Sequence, residues 1–203
     1  MSKYSTVAYW NERYTIEEDS FDWYQRWTGL RLVFDHHLAG EKKILHLGCG
    51  NSRLAEDMLE DHVNQSHTCI DISEVAISKM SEKYKNRPHL HFQHMDALRM
   101  SFEKGSFDVA IDKATLDTIL CQDNSVDNSL RYLQEVFKVL KSDGKYLLVT
   151  FAPPDERVPY LLRPGLNWRV EHFSVPKPSI PTAQPAPDED KTPHFIYICT
   201  KGA

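Results

Sequence analysis

From Lys42 onward, apolar and polar positions switch repeatedly between two periods. KILHLG (43–48) is a short apolar run closed by glycine and predicts a strand, and RLAEDMLEDH then sets Leu54, Met58 and Leu59 on one face of a helix. HTCIDIS predicts a second strand, and EVAISKMSEKYKN a helix carrying Val75, Ile77, Met80 and Tyr84. LHFQHMD and FDVAIDK predict the third and fourth strands. SLRYLQEVFKVLKSDG places Leu130, Leu133, Val136, Phe137 and Leu140 at helical spacing, with Gly144 as the expected terminator. KYLLVTFA is apolar throughout, as a central strand covered on both faces should be.

This alternation predicts an α/β fold with a mostly parallel sheet and helices on both faces. LNWRVEHFSV and HFIYICTKG predict two further strands, joined as an antiparallel pair by VPKPSIPTAQPAPDEDKTP. That proline-rich, acidic stretch (175–193) offers no face to bury and is expected to be a mobile surface loop. Ahead of the first strand, Trp10, Tyr14, Phe21, Trp23 and Trp27 crowd a short segment. Two readings stand for it: a helix simply buried on the sheet, or a lid that keeps water from a site. The expected organisation is an aromatic helical lid over 1–40 and one domain over 41–203.

Composition narrows the function. The 203 residues suit one domain, and a net charge of −5 sets the overall field against nucleic acid. Cys49, Cys69, Cys121 and Cys199 are scattered without metal-ligand spacing, and three of them lie in apolar runs. The opening residues have no apolar signal core and are too acidic for a transit peptide, and no apolar run approaches the roughly 18 residues of a membrane span. The expectation is a cytoplasmic, monomeric protein.

Gly48 and Gly50 follow the first strand, where a missing Cβ lets backbone amides approach a ligand. A dinucleotide fingerprint needs a third glycine where this chain has Arg53, which argues against a nicotinamide or flavin. Asp71 ends the second strand, 21 residues after Gly50, where a carboxylate can take ribose hydroxyls. Asp96 ends the third, within reach of an adenine edge. Each acid also suits a helix cap or turn. Taken together, the three strand ends point to an adenosine-bearing ligand without pyrophosphate, and S-adenosylmethionine is the first candidate.

LHLGCGNS, CIDIS, HMDAL, FDVAIDKATLD and VLKSDGKYLLV resemble the successive motifs of the seven-strand S-adenosylmethionine-dependent methyltransferases. LGCGNS, DKATLD and the opening YWNERY…FDWY resemble the branch containing eukaryotic elongation factor 1-alpha lysine methyltransferases. The resemblance implies a three-layer Rossmann-like sandwich whose seven-strand sheet has its last strand antiparallel. It implies that Gly48 lies against the methionine part of the cofactor, that Asp71 binds the ribose with Ile72 beside the adenine, and that Asp96 and Ala97 frame the base. Lys113 would approach the amino acid end, and Trp10, Tyr14 and Trp23 would fold over the site. Ala114 and Asp143 stand where the branch usually has glycine.

A lysine acceptor must lose a proton before it can attack, and a nearby carboxylate would serve as proton acceptor. Asp112 is the best-placed acid in the sequence, either for this or for positioning its loop; Asp117 is second. The element D/N-P-P-Y/F of amide and adenine methyltransferases is replaced here by DKAT, which points away from those acceptors. The ten histidines show no ligand spacing, so no metal is expected. The reading is therefore a protein lysine methyltransferase acting on elongation factor 1-alpha. The alternatives are methylation of another protein lysine, a non-catalytic scaffold of the same fold, and a small-molecule methyltransferase with a closed apolar acceptor pocket.

Overall fold

The two periods of the sequence build seven strands and seven α-helices in the computed structural model, which describes residues 4, 6–17, 19–62, 65–178 and 192–202. The strands are β1 (Lys43–Leu47), β2 (Ser66–Asp71), β3 (Leu90–His94), β4 (Phe107–Lys113), β5 (Leu140–Thr150), β6 (Trp168–Val175) and β7 (His194–Lys201). They form one sheet in the order β3-β2-β1-β4-β5-β7-β6. The first five pair in parallel, and β7 runs antiparallel between β5 and β6. Strand order reverses between β1 and β4, which opens a crevice at their carboxyl ends.

The helices are α1 (Val7–Ile16), α2 (Trp27–Phe34), α3 (Leu54–Asp61), α4 (Glu74–Lys83), α5 (Thr115–Leu120), α6 (Ser125–Val139) and α7 (Pro154–Leu161). Period-two alternation divides the central strands between two cores. Val109, Ile111, Leu147, Val149, Ile196 and Ile198 face Leu54 and Met58 of α3 and Leu30 and Phe34 of α2. Ala110, Tyr146, Leu148, Tyr197 and Cys199 face Tyr132, Leu133 and Val136 of α6. Each fully buried aliphatic side chain contributes about 1.5–3 kcal/mol.

The structure revises three expectations. The boundary at residue 40 separates nothing, because Trp27, Leu30, Phe34 and Leu38 share one core cluster with Ile44 of β1. The long helix ends at Val139, ahead of Gly144, and Leu140 already pairs with Phe107. Lys201 makes that early stop workable: its ammonium donates to Phe137 O at 2.6 Å and to Leu140 O at 2.7 Å, satisfying carbonyls that the helix end would leave unpaired. Finally, α5 and α7 are additional to the sequence reading, although Pro154 at the first turn followed by Asp155 and Glu156 is a start signal for α7. Most of the expected mobile loop, 179–191, lies outside the described residues. Among the described residues, no helix is long and apolar enough to cross a membrane.

Candidate active site

The glycine turn after β1 is tied to β2 at two points. Cys49 N donates to Ile70 O at 2.9 Å, and Gly50 N donates to Asp71 Oδ2 at 2.8 Å. Asp71 Oδ1 accepts from Ser73 N at 2.8 Å, so the acid also shapes the entry to α4. Gly48 and Gly50 both take positive φ, +61° and +50°. A Cβ at Gly48 would collide with the Thr115 hydroxyl, and one at Gly50 with the Tyr14 hydroxyl. The two glycines therefore admit protein groups from α5 and α1, and the ligand side of the turn is only part of their purpose.

A cavity of about 260 Å³ opens beside this turn. Gly48, Asp71, Ile72, Asp96, Ala97 and Lys113 line it from the strand ends, and Trp10, Tyr14 and Trp23 close it from the N-terminal segment. Gly50 faces a smaller adjoining cavity that shares Gly48, Tyr14, Trp23 and Lys113. Burial raises the Asp71 carboxyl above the usual range, and the amides of Ser73 and Gly50 oppose that shift. Each of its oxygens keeps lone-pair capacity beyond the single amide bond described. Asp96 accepts from Leu98 N at 2.8 Å, a local turn that holds Ala97 at the cavity wall.

The N-terminal segment is stitched to the residues that make the cavity. Asn51 donates to Asp19 O at 2.7 Å and accepts from Phe21 N at 3.2 Å, while Ser52 bonds Asp22. Asp22 also pairs with Lys113, whose ammonium lies 3.1 Å from its carboxylate and 3.1 Å from Trp23 O. Burial lowers the Lys113 pKa, and the Asp22 charge opposes it. Lys113 thus holds the covering segment as well as lining the cavity. Farther along, Ser73 Oγ donates to Asn11 Oδ1 at 2.7 Å, and Lys79 Nζ donates to Tyr14 O at 2.5 Å. The Arg13 guanidinium sits 5.0–5.7 Å from the rings of Trp10, Phe21 and Trp23 and binds the aromatics into one unit. Asn11, Asp22 and Lys79 are contributors that the sequence reading missed. The Asn-Ser that follows the glycines is a signal for Asp22 alone, since Asn11 and Lys79 bond to Ser73 and Tyr14 instead.

The structure does not bring Asp112 to the cavity. Its side chain is 0% exposed and accepts four bonds: Thr115 N at 2.7 Å, Leu116 N at 3.0 Å, Tyr132 OH at 2.7 Å and Tyr146 OH at 2.8 Å. Burial pushes its pKa up to about 6 against the two tyrosine hydroxyls. With this surrounding it caps the start of α5, and the role of proton acceptor is withdrawn. Asp117 is likewise enclosed, receiving Tyr24 OH at 2.9 Å, Thr150 Oγ1 at 2.7 Å and Arg157 at 2.6 Å.

Ala114, between β4 and α5, sits at φ +82° on the cavity wall. A Cβ in that region costs about 1–2 kcal/mol, more than the roughly 0.5–1 kcal/mol of chain entropy that glycine adds to the unfolded state. Ala114→Gly is therefore expected to raise the unfolding free energy by about 0.5–1 kcal/mol in urea titrations. A lower midpoint at unchanged slope would contradict the strain.

Residues 38–168 match the methyltransferase domain family. The chain belongs to that family. It is 34% identical over 209 residues to the eEF1A lysine and N-terminal methyltransferase of Danio rerio, covering 98% of this chain and 28% of that protein. It is 30% identical over 180 residues to EEF1A lysine methyltransferase 4 of Mus musculus, covering 84% of this chain and 70% of that protein. The chain thus spans less than a third of the first relative's length. A SAM-dependent methyltransferase from Methanosarcina mazei superposes with a TM-score of 0.64 at 18% identity, over 90% of this chain and 99% of that one. A methyltransferase from Pyrococcus furiosus gives 0.59 at 17% identity, over 85% and 81%. The family cofactor is S-adenosylmethionine, and the cavity fits it. A positive-φ glycine turn, a buried carboxylate and an acid-led turn converge there, under aromatic rings that suit a purine and a sulfonium.

Proposed function

We propose that this chain is an S-adenosylmethionine-dependent protein lysine methyltransferase of the cytoplasm acting on elongation factor 1-alpha. The observation that carries the proposal is the match over 98% of the chain to a relative named for that substrate. A fully assembled cavity under a covered strand edge supports catalysis over a scaffold role. The motif DKAT at the end of β4, in place of the D/N-P-P-Y/F element, supports an amine acceptor.

When bound, S-adenosylmethionine supplies an electrophilic methyl group. The work of the protein is orientation and exclusion of water. Asp71 would hold the ribose, Asp96 and Ala97 the adenine, and Gly48 the methionine part. Trp10, Tyr14 and Trp23 remove water from the same space, which strengthens every charge and π contact inside it.

The test is incubation of the purified protein with tritiated S-adenosylmethionine and either purified elongation factor 1-alpha or whole-cell lysate. Labelling of a lysine in elongation factor 1-alpha is the expected result. Label on a different protein, or on small molecules alone, would overturn the substrate.

A further inference from the structure

Among the groups that the cofactor cavity does not use, one backbone conformation stands apart. Gln25 N donates to Trp23 O at 2.7 Å, closing a three-residue γ-turn with Tyr24 at its centre, and Tyr24 has φ +61°. This is the rare, strained form of the turn, and a bulky aromatic is poorly suited to it. Such strain persists only where surrounding bonds impose it. Here they do so on three sides. Lys113 Nζ holds Trp23 O at 3.1 Å, and the buried Gln25 amide donates to Pro176 O at 2.6 Å. The Tyr24 hydroxyl donates to Asp117, which Arg157 and Thr150 anchor from the other side.

The consequence of that clamping is the placement of one ring. Tyr24 lies 6.2 Å from Phe151, the residue immediately after β5, and 6.3 Å from Trp23. Trp23 in turn lies 5.3 Å from Phe21. The four rings form a strip along the carboxyl edge of the sheet, and Trp23 belongs to both the strip and the cofactor cavity. Phe151 is 52% exposed and Phe21 43%, so the strip is not ordinary core. The cations beside it are already paired, Lys113 with Asp22, Arg157 with Asp117, and Arg13, which lies over Phe21 and Trp23, with Glu17. No bare positive charge from those three side chains opposes an incoming ammonium, and the net charge of −5 favours a basic partner.

We infer that Phe151 and Tyr24 form the docking wall for the acceptor lysine of the protein substrate, guiding its methylene stem and ammonium past Trp23 to the cofactor. The inference rests on the protein-lysine reading above. Aromatic faces suit this occupant because they attract a cation while packing its alkyl stem. Continuity with the cofactor cavity through Trp23 selects the lysine over an unrelated partner.

The experiment compares wild type, Phe151→Ala and Phe151→Trp in the labelling assay, with purified elongation factor 1-alpha and with lysate. Cofactor affinity is followed separately by calorimetry. Phe151→Ala is expected to raise KM for the protein substrate roughly tenfold, the scale of one lost aromatic contact, and Phe151→Trp to restore it. Cofactor affinity should stay within about twofold of wild type. If wild type labels elongation factor 1-alpha and Phe151→Ala has the same KM, the wall is overturned and the function stands. If wild type labels another protein in lysate and Phe151→Ala weakens that labelling, the wall stands and the named substrate falls. If no protein is labelled, both are overturned.

Discussion

Removing residues 1–17 is expected to abolish methyl transfer and to weaken cofactor binding by about a hundredfold or more, with the sheet still folded. The truncation removes Tyr4 and α1, and so three of the four aromatic residues that line the cavity; α1 carries two of them, Trp10 and Tyr14. Those rings stack 5.9 Å apart, and Tyr14 is only 7% exposed. Losing two buried aromatic contacts to a ligand costs about 3–6 kcal/mol, and every 1.4 kcal/mol is about tenfold in affinity. Water would also enter and weaken the remaining polar contacts. The cut must stop well before Trp27, which is 4% exposed, belongs to the core and donates to Asp61 at 2.6 Å. Calorimetry with S-adenosylmethionine and circular dichroism on the truncated protein read the two halves of the prediction. Affinity within threefold of full length would return α1 to the status of a surface helix.

Asp112→Ala is expected to cost at least about 4 kcal/mol of stability, while any residual activity follows the folded fraction. The substitution strands four donors at once: the hydroxyls of Tyr132 and Tyr146 and the amides of Thr115 and Leu116. Each unsatisfied buried group costs about 1–3 kcal/mol. The pH dependence has a definite sign. Burial raises the folded pKa of Asp112 to about 6, above its unfolded value. Its titration therefore adds stability that is full below its unfolded pKa of about 3.9 and is lost as pH rises through about 6. The gap between wild type and variant should be wider at pH 4 than at pH 7. Urea titrations at pH 4 and pH 7 test both points. A stable variant with normal melting and no turnover would restore Asp112 as the proton acceptor.

The legibility of this protein follows from the range of the forces involved. The alternation of strand and helix was readable because hydrophobic periodicity is local, and the parallel sheet follows from that alternation. Gly48, Asp71 and Asp96 were readable as a ligand group because all three lie where strands end, and strand ends are visible in one dimension. Asp112 shows the limit. It also ends a strand, but Tyr132 and Tyr146 reach it from α6 and β5, and nothing near DKAT announces them. The early end of α6 has the same origin, since the ammonium that tolerates it arrives from Lys201 at the far end of the chain.

By itself, then, the sequence determined the layer order, the edge of the sheet that carries the site, and the class of ligand. Tertiary structure alone decided which acids face the cavity and which are enclosed, because that depends on side chains brought together from distant elements. It also decided that Asn51, Ser52 and Lys113 fasten the N-terminal segment through Asp19, Phe21, Asp22 and Trp23. Hydrogen bonds and ion pairs act only over a few ångströms, so residues ninety positions apart can share one only after the fold has closed the distance.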